Sequence, residues 1–353
     1  NDRFSSMLPA GFYYKTFMWP KSFWHRYEKV IRKGAGLGTT PEMPDHNIYD
    51  KRHQHCDVLV VGGGPAGISA ALAAGRAGAR VILVDEQAEL GGALLGNGER
   101  IESRSGVDWA LAARAELDDM AEVQVLTRTT AFGYYDHNYL LMVERMNDHV
   151  GAPAGSLRQR LWKIRARQVV LASGAIERQM VFANNDRPGI MLAGAAQTYV
   201  NRYGVKPGNR AALFVNNDGA YRAALDLAAA GIRVEAVVDM RADPSGEAVA
   251  AVRERGIEIL AHHALGGALG GKRLRAIEVL ALNEKGDGFA GDIRRLRCDL
   301  LCLSGGWSPT VHLFSQAGGK LDFDEKQACF VPGEARQAVS SAGAANGVFA
   351  LQG

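Results

Sequence analysis

The chain has 353 residues, of which 47% are hydrophobic and 22% charged, an ordinary composition for a globular protein. Its formal net charge of +3 is too small to indicate nucleic acid or an anionic membrane as a partner, and we expect neither. The sequence contains neither a signal peptide nor an apolar run of about 18 residues, which predicts a cytoplasmic protein. Both ends look cut, so we expect a fragment of a longer chain.

Residues 1–50 are predicted to form an aromatic N-terminal extension. Their aromatic side chains, such as Phe12, Trp19 and Trp24, show no clean helical or strand period. The extension either wraps around the core of this chain or contacts another subunit, because aromatic residues dominate the energetics of interfaces. The sequence leaves both alternatives open.

From Asp57 onward the pattern predicts a βαβ unit. Residues 58–61 form an apolar strand, a glycine turn follows, an alanine-rich helix covers residues 65–77, and residues 80–84 form the next strand. The pattern then predicts a strand pair near residues 123–126 and 139–143, and a buried strand at 167–172.

A second βαβ unit is predicted at residues 211–238, with a strand, a helix and a strand. Its continuation contains strands at 256–260 and 276–280, and the strands at 299–303 and 338–341 are expected to return toward the first unit. We therefore predict an α/β protein in which a second Rossmann-like domain, residues 186–307, is inserted into a first dinucleotide-binding domain, residues 51–185 and 308–353.

The four cysteines are too few for a disulfide framework. Residues 297–303 are predicted to be one buried strand, in which Cys298 and Cys302 would lie roughly 13 Å apart at a rise of about 3.3 Å per residue. That separation is too long for a disulfide bond or a shared zinc ion. We predict no metal site, and no catalytic residue can be identified from spacing.

The segment Gly62–Gly67 (GGGPAG) satisfies the dinucleotide pattern Gly-x-Gly-x-x-Gly, and it follows a strand and opens a helix. Gly62 would make the tight turn, Gly64 would let the backbone approach a pyrophosphate, and Gly67 would let the helix pack on the strand. The phosphates would sit at the helix N-terminus, where free N–H groups favour anions. Asp85, after the next strand, would accept hydrogen bonds from the adenosine ribose, which favours NAD or FAD over NADP.

The equivalent loop of the second domain is degenerate. Asn216, Asp218 and Tyr221 stand where the three glycines are expected. A carboxylate repels phosphate and a tyrosine ring fills the space for close approach, so we predict that this domain has lost ordinary dinucleotide binding.

Three further motifs resemble those of the disulfide-reductase-like flavoproteins, which have two dinucleotide domains. They are Asp85–Gly92 (DEQAELGG), Val169–Ala175 (VVLASGA) and Val339–Gly347 (VSSAGAANG). In the third motif Gly343 is followed by Ala344 rather than by the usual aspartate for a flavin. We therefore predict NAD rather than FAD in the first domain. The predicted cofactor-binding residues are Gly62, Gly64, Ala66, Gly67, Asp85, Glu86, Gln87, Gly92, Ala93, Ala131, Gly174, Gly343 and Ala345.

More narrowly, Met7–Pro20 (MLPAGFYYKTFMWP) and Asn185–Met191 (NDRPGIM) are similar to the alpha subunit of heterotetrameric sarcosine oxidases. This resemblance implies a cofactor-binding subunit in a complex with beta, gamma and delta subunits that oxidises a small amine. It implies NAD in the first domain, FMN shared with the beta subunit, FAD on the beta subunit, and a tetrahydrofolate domain outside this fragment.

Two alternatives remain at this stage. The chain could be the FAD-binding subunit of an opine- or hydroxyproline-type amino-acid dehydrogenase, or a non-catalytic scaffold with a vestigial nucleotide. Thiol–disulfide chemistry is excluded, because no closely spaced cysteine pair stands near the helix of the first domain.

Overall fold

The computed structural model describes residues 19–36, 43–101, 103–151, 153 and 155–351. They divide into two compact units. The first unit contains His46–Arg178, Gln197–Val205 and the residues from Gly305 onward, and the second contains Gln179–Ala196, Lys206–Ser304 and the described residues before His46. The chain thus enters the second unit twice after residue 178, because residues 197–205 return to the first. The domain limits at residues 51, 186 and 308 stay predictions.

The helices and strands of the described residues have the following bounds. The α-helices are α1 (Trp24–Ala35), α2 (Pro65–Arg76), α3 (Gly106–Asp118), α4 (Ala193–Tyr203), α5 (Gly219–Ala229), α6 (Glu247–Glu254) and α7 (His312–Gln316). The strands up to residue 178 are β1 (Ile48–Val61), β2 (Val81–Val84), β3 (Arg100–Ile101), β4 (Arg104–Ser105), β5 (Val123–Leu126), β6 (Thr129–Tyr135), β7 (Tyr139–Arg145), β8 (Leu157–Leu171) and β9 (Ala175–Glu177). The later strands are β10 (Ile190–Leu192), β11 (Arg210–Val215), β12 (Arg233–Asp239), β13 (Glu258–Ala261), β14 (His263–Gly270), β15 (Leu274–Leu282), β16 (Phe289–Arg297), β17 (Leu300–Ser304), β18 (Trp307–Pro309), β19 (Leu321–Asp324), β20 (Cys329–Pro332) and β21 (Val339–Ser341). Short 3₁₀ turns lie at Lys21–Phe23, Gly92–Leu95 and Gly343–Asn346.

The first unit is built on a seven-stranded sheet in the order β5-β2-β1-β8-β7-β6, with β21 paired to β8. The strands β5, β2, β1, β8 and β21 run parallel, and β2 is buried along its whole length, as expected for a strand covered on both faces. Helices α2 and α3 pack on one face of this sheet, and α7 contributes to the core on the other. The α/β Rossmann-like prediction is confirmed.

The predicted pairing of residues 123–126 with 139–143 is wrong. Strand β5 pairs in parallel with β2, whereas β7 pairs antiparallel with β6 and β8. A tight turn at His137 and Asn138, both with positive φ, joins β6 to β7 as a hairpin. Local sequence pattern marked the strands but not their partners.

The second unit has a five-stranded parallel sheet, in the order β10-β17-β11-β12-β13, and a three-stranded antiparallel sheet, β14-β15-β16. The prediction of one strand over residues 297–303 is wrong, since β16 ends at Arg297 and β17 begins at Leu300. Between them the Asp299 carboxylate accepts the backbone N–H of Asn209, at 2.9 Å, and of Arg210, at 2.8 Å. The chain therefore turns here and β17 lies between β10 and β11, rather than returning toward the first unit as expected.

The N-terminal extension departs from the expectation of no regular period, because residues 24–35 form α1. The described side chains of α1 are all at least partly exposed, and Trp19 is 82% exposed. Strand β1 begins at Ile48, inside the predicted extension. Residues 1–18, including Phe12, lie outside the described residues. Among those that are described, no helix combines the length and apolar character needed to cross a bilayer.

Candidate functional site

The glycine loop after β1 owes its shape to backbone contacts. Gly62 has φ of +107°, and a methyl group there would collide with the Ala172 carbonyl. A methyl group at Gly67 would collide with the carbonyl of Gly62, which explains the close packing of α2 on the loop. Gly64 differs, because a methyl group added there would have no atom within 4 Å. The space beside the start of α2 is therefore open at Gly64 and closed at Gly62 and Gly67.

Asp85, which follows β2, binds this loop through hydrogen bonds. One carboxylate oxygen accepts the backbone N–H of Gly63 at 2.6 Å, and the other accepts the N–H of Gln87 at 2.7 Å. Sequence reasoning assigned Asp85 to a ribose and missed this role, although an aspartate that bonds the N–H two residues onward is a recognisable local pattern. Each carboxylate oxygen keeps lone-pair capacity for a further donor, so both roles are compatible.

The second glycine pair packs directly on the first loop. The backbone N–H of Gly91 donates to the Gly63 carbonyl at 2.8 Å. A methyl group at Gly92 would lie 3.0 Å from the Gly64 Cα, so only glycine permits this approach without displacement. Ala93 follows in the same 3₁₀ turn and is exposed.

The motif at Val339–Gly347 also lies against the start of α2. A methyl group at Gly343, which has φ of +60°, would lie 2.7 Å from the Ala66 Cβ. Ala345 is 1% exposed, so its side chain belongs to the core and only its backbone can face a ligand. The structure therefore brings Gly62, Gly64, Ala66, Gly67, Asp85, Gln87, Gly92 and Gly343 together.

The remaining predicted residues lie at the borders of this region. Ala131 is in β6 and packs, partly buried, against the core. The first residue of β6, Thr129, donates its backbone N–H to the Asp85 carbonyl at 2.8 Å. Gly174 follows β8 with φ of +72°, and its carbonyl accepts the Thr310 N–H at 2.9 Å. Glu86 is exposed.

The equivalent loop in the second unit is filled by side chains. The Tyr221 hydroxyl donates to the Asp239 carboxylate at 2.7 Å, and both residues are fully buried. Arg241 also donates to Asp239, at 2.8 Å, and to Asp218, at 2.7 Å. Burial, together with the hydrogen bond to Asp239, raises the pKa of the Tyr221 phenol, so that it remains a donor. This network supports the prediction that the second loop has lost dinucleotide binding.

The four cysteines are buried thiols rather than disulfides. Burial raises the pKa of the Cys56 and Cys298 thiols to about 12, so neither is a thiolate near neutral pH. Across the residues that the structure describes, no group of histidine, cysteine, aspartate or glutamate side chains is arranged to hold a metal ion.

Comparisons with known proteins agree with this geometry. A model of the FAD dependent oxidoreductase family matches residues 57–100, which include the glycine loop, Asp85 and the second glycine pair. The chain is 45% identical to the sarcosine oxidase alpha subunit of Rhizobium meliloti (strain 1021) over 98% of its own length and 34% of that protein. It is 33% identical to an opine oxidase subunit of Agrobacterium tumefaciens (strain Ach5), over 55% of this chain and 38% of that one.

Among solved structures, the L-proline dehydrogenase of P. horikoshii superposes with a TM-score of 0.62 at 23% identity, covering 84% of this chain and 52% of that chain. That likeness shows the fold alone. The chain spans about one third of the sarcosine oxidase alpha subunits that it matches. The resemblance predicted from the sequence is confirmed: over nearly all its length the chain is similar to the sarcosine oxidase alpha subunits, and it carries the Rossmann-like fold of the FAD-type oxidoreductases.

Proposed function

We propose that the chain is the cofactor-binding part of the alpha subunit of a sarcosine oxidase-type complex. Such a complex acts on a CH–NH group: it demethylates sarcosine to glycine and yields formaldehyde or methylenetetrahydrofolate, while oxygen is reduced to hydrogen peroxide. The observation that carries the proposal is the match to a sarcosine oxidase alpha subunit along 98% of the chain. The predicted partners are the beta, gamma and delta subunits, and the predicted location is the cytoplasm.

The first unit is proposed to hold NAD. The loop fits a dinucleotide because Gly64 leaves open space beside the start of α2, while Asp85 and Gly91 hold Gly63 in place. The predicted contacts would come from the loop amides, from the Asp85 carboxylate and from the residues around Gly92 and Gly343. Ala344, in place of the aspartate that a flavin site carries, supports NAD rather than FAD.

The redox chemistry is proposed to lie mostly outside this chain. FAD would be held by the beta subunit and would supply the oxidation of the amine, and FMN would be shared between the alpha and beta subunits. Tetrahydrofolate would bind outside this fragment. The part assigned to this chain is therefore to bind and orient cofactors, in keeping with the prediction that it has no catalytic residue.

The test is to purify the complete complex, denature it and identify the released nucleotides by mass. We expect one NAD for each alpha subunit. Stoichiometric FAD released from the isolated alpha subunit would contradict the NAD assignment. Release of neither dinucleotide from that subunit would favour a scaffold with a vestigial nucleotide.

A second candidate is the amino-acid dehydrogenase subunit of opine type with FAD in the first unit, supported by the 33% identity to an opine oxidase subunit. The complex would be assayed with sarcosine and with an opine under identical conditions. Preferential turnover of sarcosine is expected, and preferential turnover of the opine would favour the second candidate.

The described aromatic residues of the N-terminal extension are proposed to contact the beta-type partner. Trp19 is 82% exposed and Phe23 is 42% exposed, and neighbouring exposed aromatic side chains of this kind are typical of a partner site. Replacing Trp19 and Trp24 by alanine should reduce co-purification of the partner before it affects NAD binding. The control is Phe330→Ala, another exposed aromatic residue. Wild-type stoichiometry in the double variant would refute the contact and leave an intramolecular wrap.

A further inference from the structure

The last two turns of α4 present a polar face to the loop at residues 89–97. Gln197 and Asn201 are four residues apart and project from the same side of the helix. Arg202 projects from the adjoining side, about 100° further round. The Asn201 side-chain amide donates to the Gly96 carbonyl at 2.9 Å, and Gln197 donates to the Asn97 carbonyl at 3.3 Å. Arg202 pairs with the Glu89 carboxylate at 2.7 Å. Two adjoining sides of the helix thus contact the loop at three places.

Steric contact reinforces these hydrogen bonds. A methyl group at Gly96 would lie 2.7 Å from the Thr198 hydroxyl oxygen and 3.2 Å from the Thr198 Cα. The helix therefore approaches the loop backbone as closely as a glycine allows. Gly96 is buried, so this contact excludes water from the hydrogen bond donated by Asn201.

The same loop continues into the glycine pair that packs on the dinucleotide loop. The Gly91 N–H donates to the Gly63 carbonyl at 2.8 Å, and Gly92 lies against Gly64. A chain of contacts therefore connects α4 to Gly96, and the Gly91 that precedes it in the same loop to Gly63 of the glycine loop at Gly62–Gly67. Residues more than 100 positions from Gly63 in sequence are linked to its placement.

We propose that Gln197, Asn201 and Arg202 are positioning residues for the dinucleotide site of the first unit. They hold the 89–97 loop so that Gly91 and Gly92 brace Gly63 and Gly64. This inference rests on the proposed function for its affinity readout, whereas the placement of the loop can be measured without any nucleotide.

A merely structural role predicts a different result from a positioning role. Loss of packing lowers the melting temperature of the complex and changes hydrogen exchange throughout the unit. Loss of positioning accelerates exchange in the 89–97 loop and weakens NAD binding, with the melting temperature nearly unchanged. Asn201→Asp separates these cases, because the side chain keeps its shape but can no longer donate to the Gly96 carbonyl.

The experiment uses the complete complex stripped of nucleotide, with Asn201→Asp and Arg202→Glu made separately. Amide exchange of residues 89–97 is followed by mass spectrometry, and NAD binding by calorimetry. Each variant should show faster exchange in the loop and roughly fivefold weaker NAD binding, the effect of one lost hydrogen bond. Adding Glu89→Arg to Arg202→Glu should restore both properties, because it re-forms the ion pair with reversed charges.

The matched control is Arg114→Ala. Arg114 pairs with Asp118 on α3 at the same distance of 2.7 Å and within the same unit, and among the described residues its side chain donates no hydrogen bond to the loop. It should change neither loop exchange nor affinity. Wild-type exchange and affinity in Asn201→Asp, or faster exchange without weaker binding, would overturn the positioning role. If the unmodified complex binds no NAD, the proposed function fails, and loop exchange then decides alone whether the α4 face holds the loop.

Discussion

Gly64→Ala offers the sharpest test of the dinucleotide site, because the structure separates the effect on folding from the effect on binding. Gly64 has φ of −74° and ψ of −179°, a conformation that alanine adopts freely. The added methyl group would meet no atom within 4 Å. The variant should therefore fold as the wild type does.

The expected change in stability is small because two effects oppose each other. Replacing glycine by alanine in a compatible conformation stabilises a protein by about 0.4–1 kcal/mol through the unfolded state. Alanine is a poorer N-cap than glycine by a comparable amount, and Gly64 is the N-cap of α2. The net change in the free energy of unfolding should lie within about 1 kcal/mol.

The expected change in affinity is much larger. If the pyrophosphate occupies the open space beside Gly64, a methyl group there keeps the backbone amides from reaching it. Loss of one hydrogen bond to a charged group costs about 1.5–3 kcal/mol, which is roughly a tenfold to hundredfold loss of affinity. Calorimetric titration of NAD and a thermal melt of the nucleotide-free complex measure the two quantities.

Gly67→Ala is the contrasting variant, since its methyl group would collide with the Gly62 carbonyl and force the backbone to move. It should lose stability as well as affinity. Wild-type NAD affinity in Gly64→Ala would refute the placement of the phosphates. A large loss of melting temperature in Gly64→Ala would refute the claim that the space is open.

Three further outcomes follow from the described contacts. Tyr221→Phe should lower the free energy of unfolding by about 1–3 kcal/mol, since the buried Asp239 carboxylate loses a donor, and NAD affinity should not change; urea denaturation and calorimetry check this. Cys56 should resist alkylation by iodoacetamide at pH 8 in the native protein, because its pKa of about 12 leaves almost no thiolate, and it should react after unfolding. Mass spectrometry of the labelled peptides measures the extent of alkylation. The hydrogen bonds from Arg80 hold the pKa of the Asp57 carboxyl below its usual range. The pair therefore stabilises the fold fully above about pH 4, and this stabilisation is lost as the pH falls. The difference in melting temperature between wild type and Asp57→Asn should narrow from pH 5 to pH 2.

The first βαβ unit could be predicted because its signals are local. Continuous apolar residues at 58–61 and 81–84 indicate buried parallel strands, and the observed strands contain both runs. The helix predicted over residues 65–77 is observed at Pro65–Arg76, because Pro65 suits the first helical position and the alanines favour the interior.

The rest depended on contacts distant in sequence. Strand β5 pairs with β2 through a crossover that includes α3, and β17 fits between β10 and β11; no local pattern encodes either partner. The face of α4 that contacts the 89–97 loop was missed for the same reason, since its polar residues look like those of any exposed helix. The local Asp85 turn was readable and was overlooked.

The two glycine-loop positions show why topology alone does not decide binding. In both units a strand ends in an aspartate beside the loop, Asp85 after β2 and Asp239 at the end of β12. Asp85 bonds backbone N–H groups, which shapes the first loop and leaves the space at Gly64 open. Asp239 likewise accepts the backbone N–H of the residue two positions onward, Arg241, at 2.9 Å. Its other oxygen, however, accepts the Tyr221 hydroxyl and the Arg241 guanidinium, so that side chains rather than a loop N–H satisfy the charge. A ligand would have to displace that side-chain network. The space for a dinucleotide therefore depends on whether the second carboxylate oxygen bonds a loop N–H, as in Asp85, or side chains, as in Asp239.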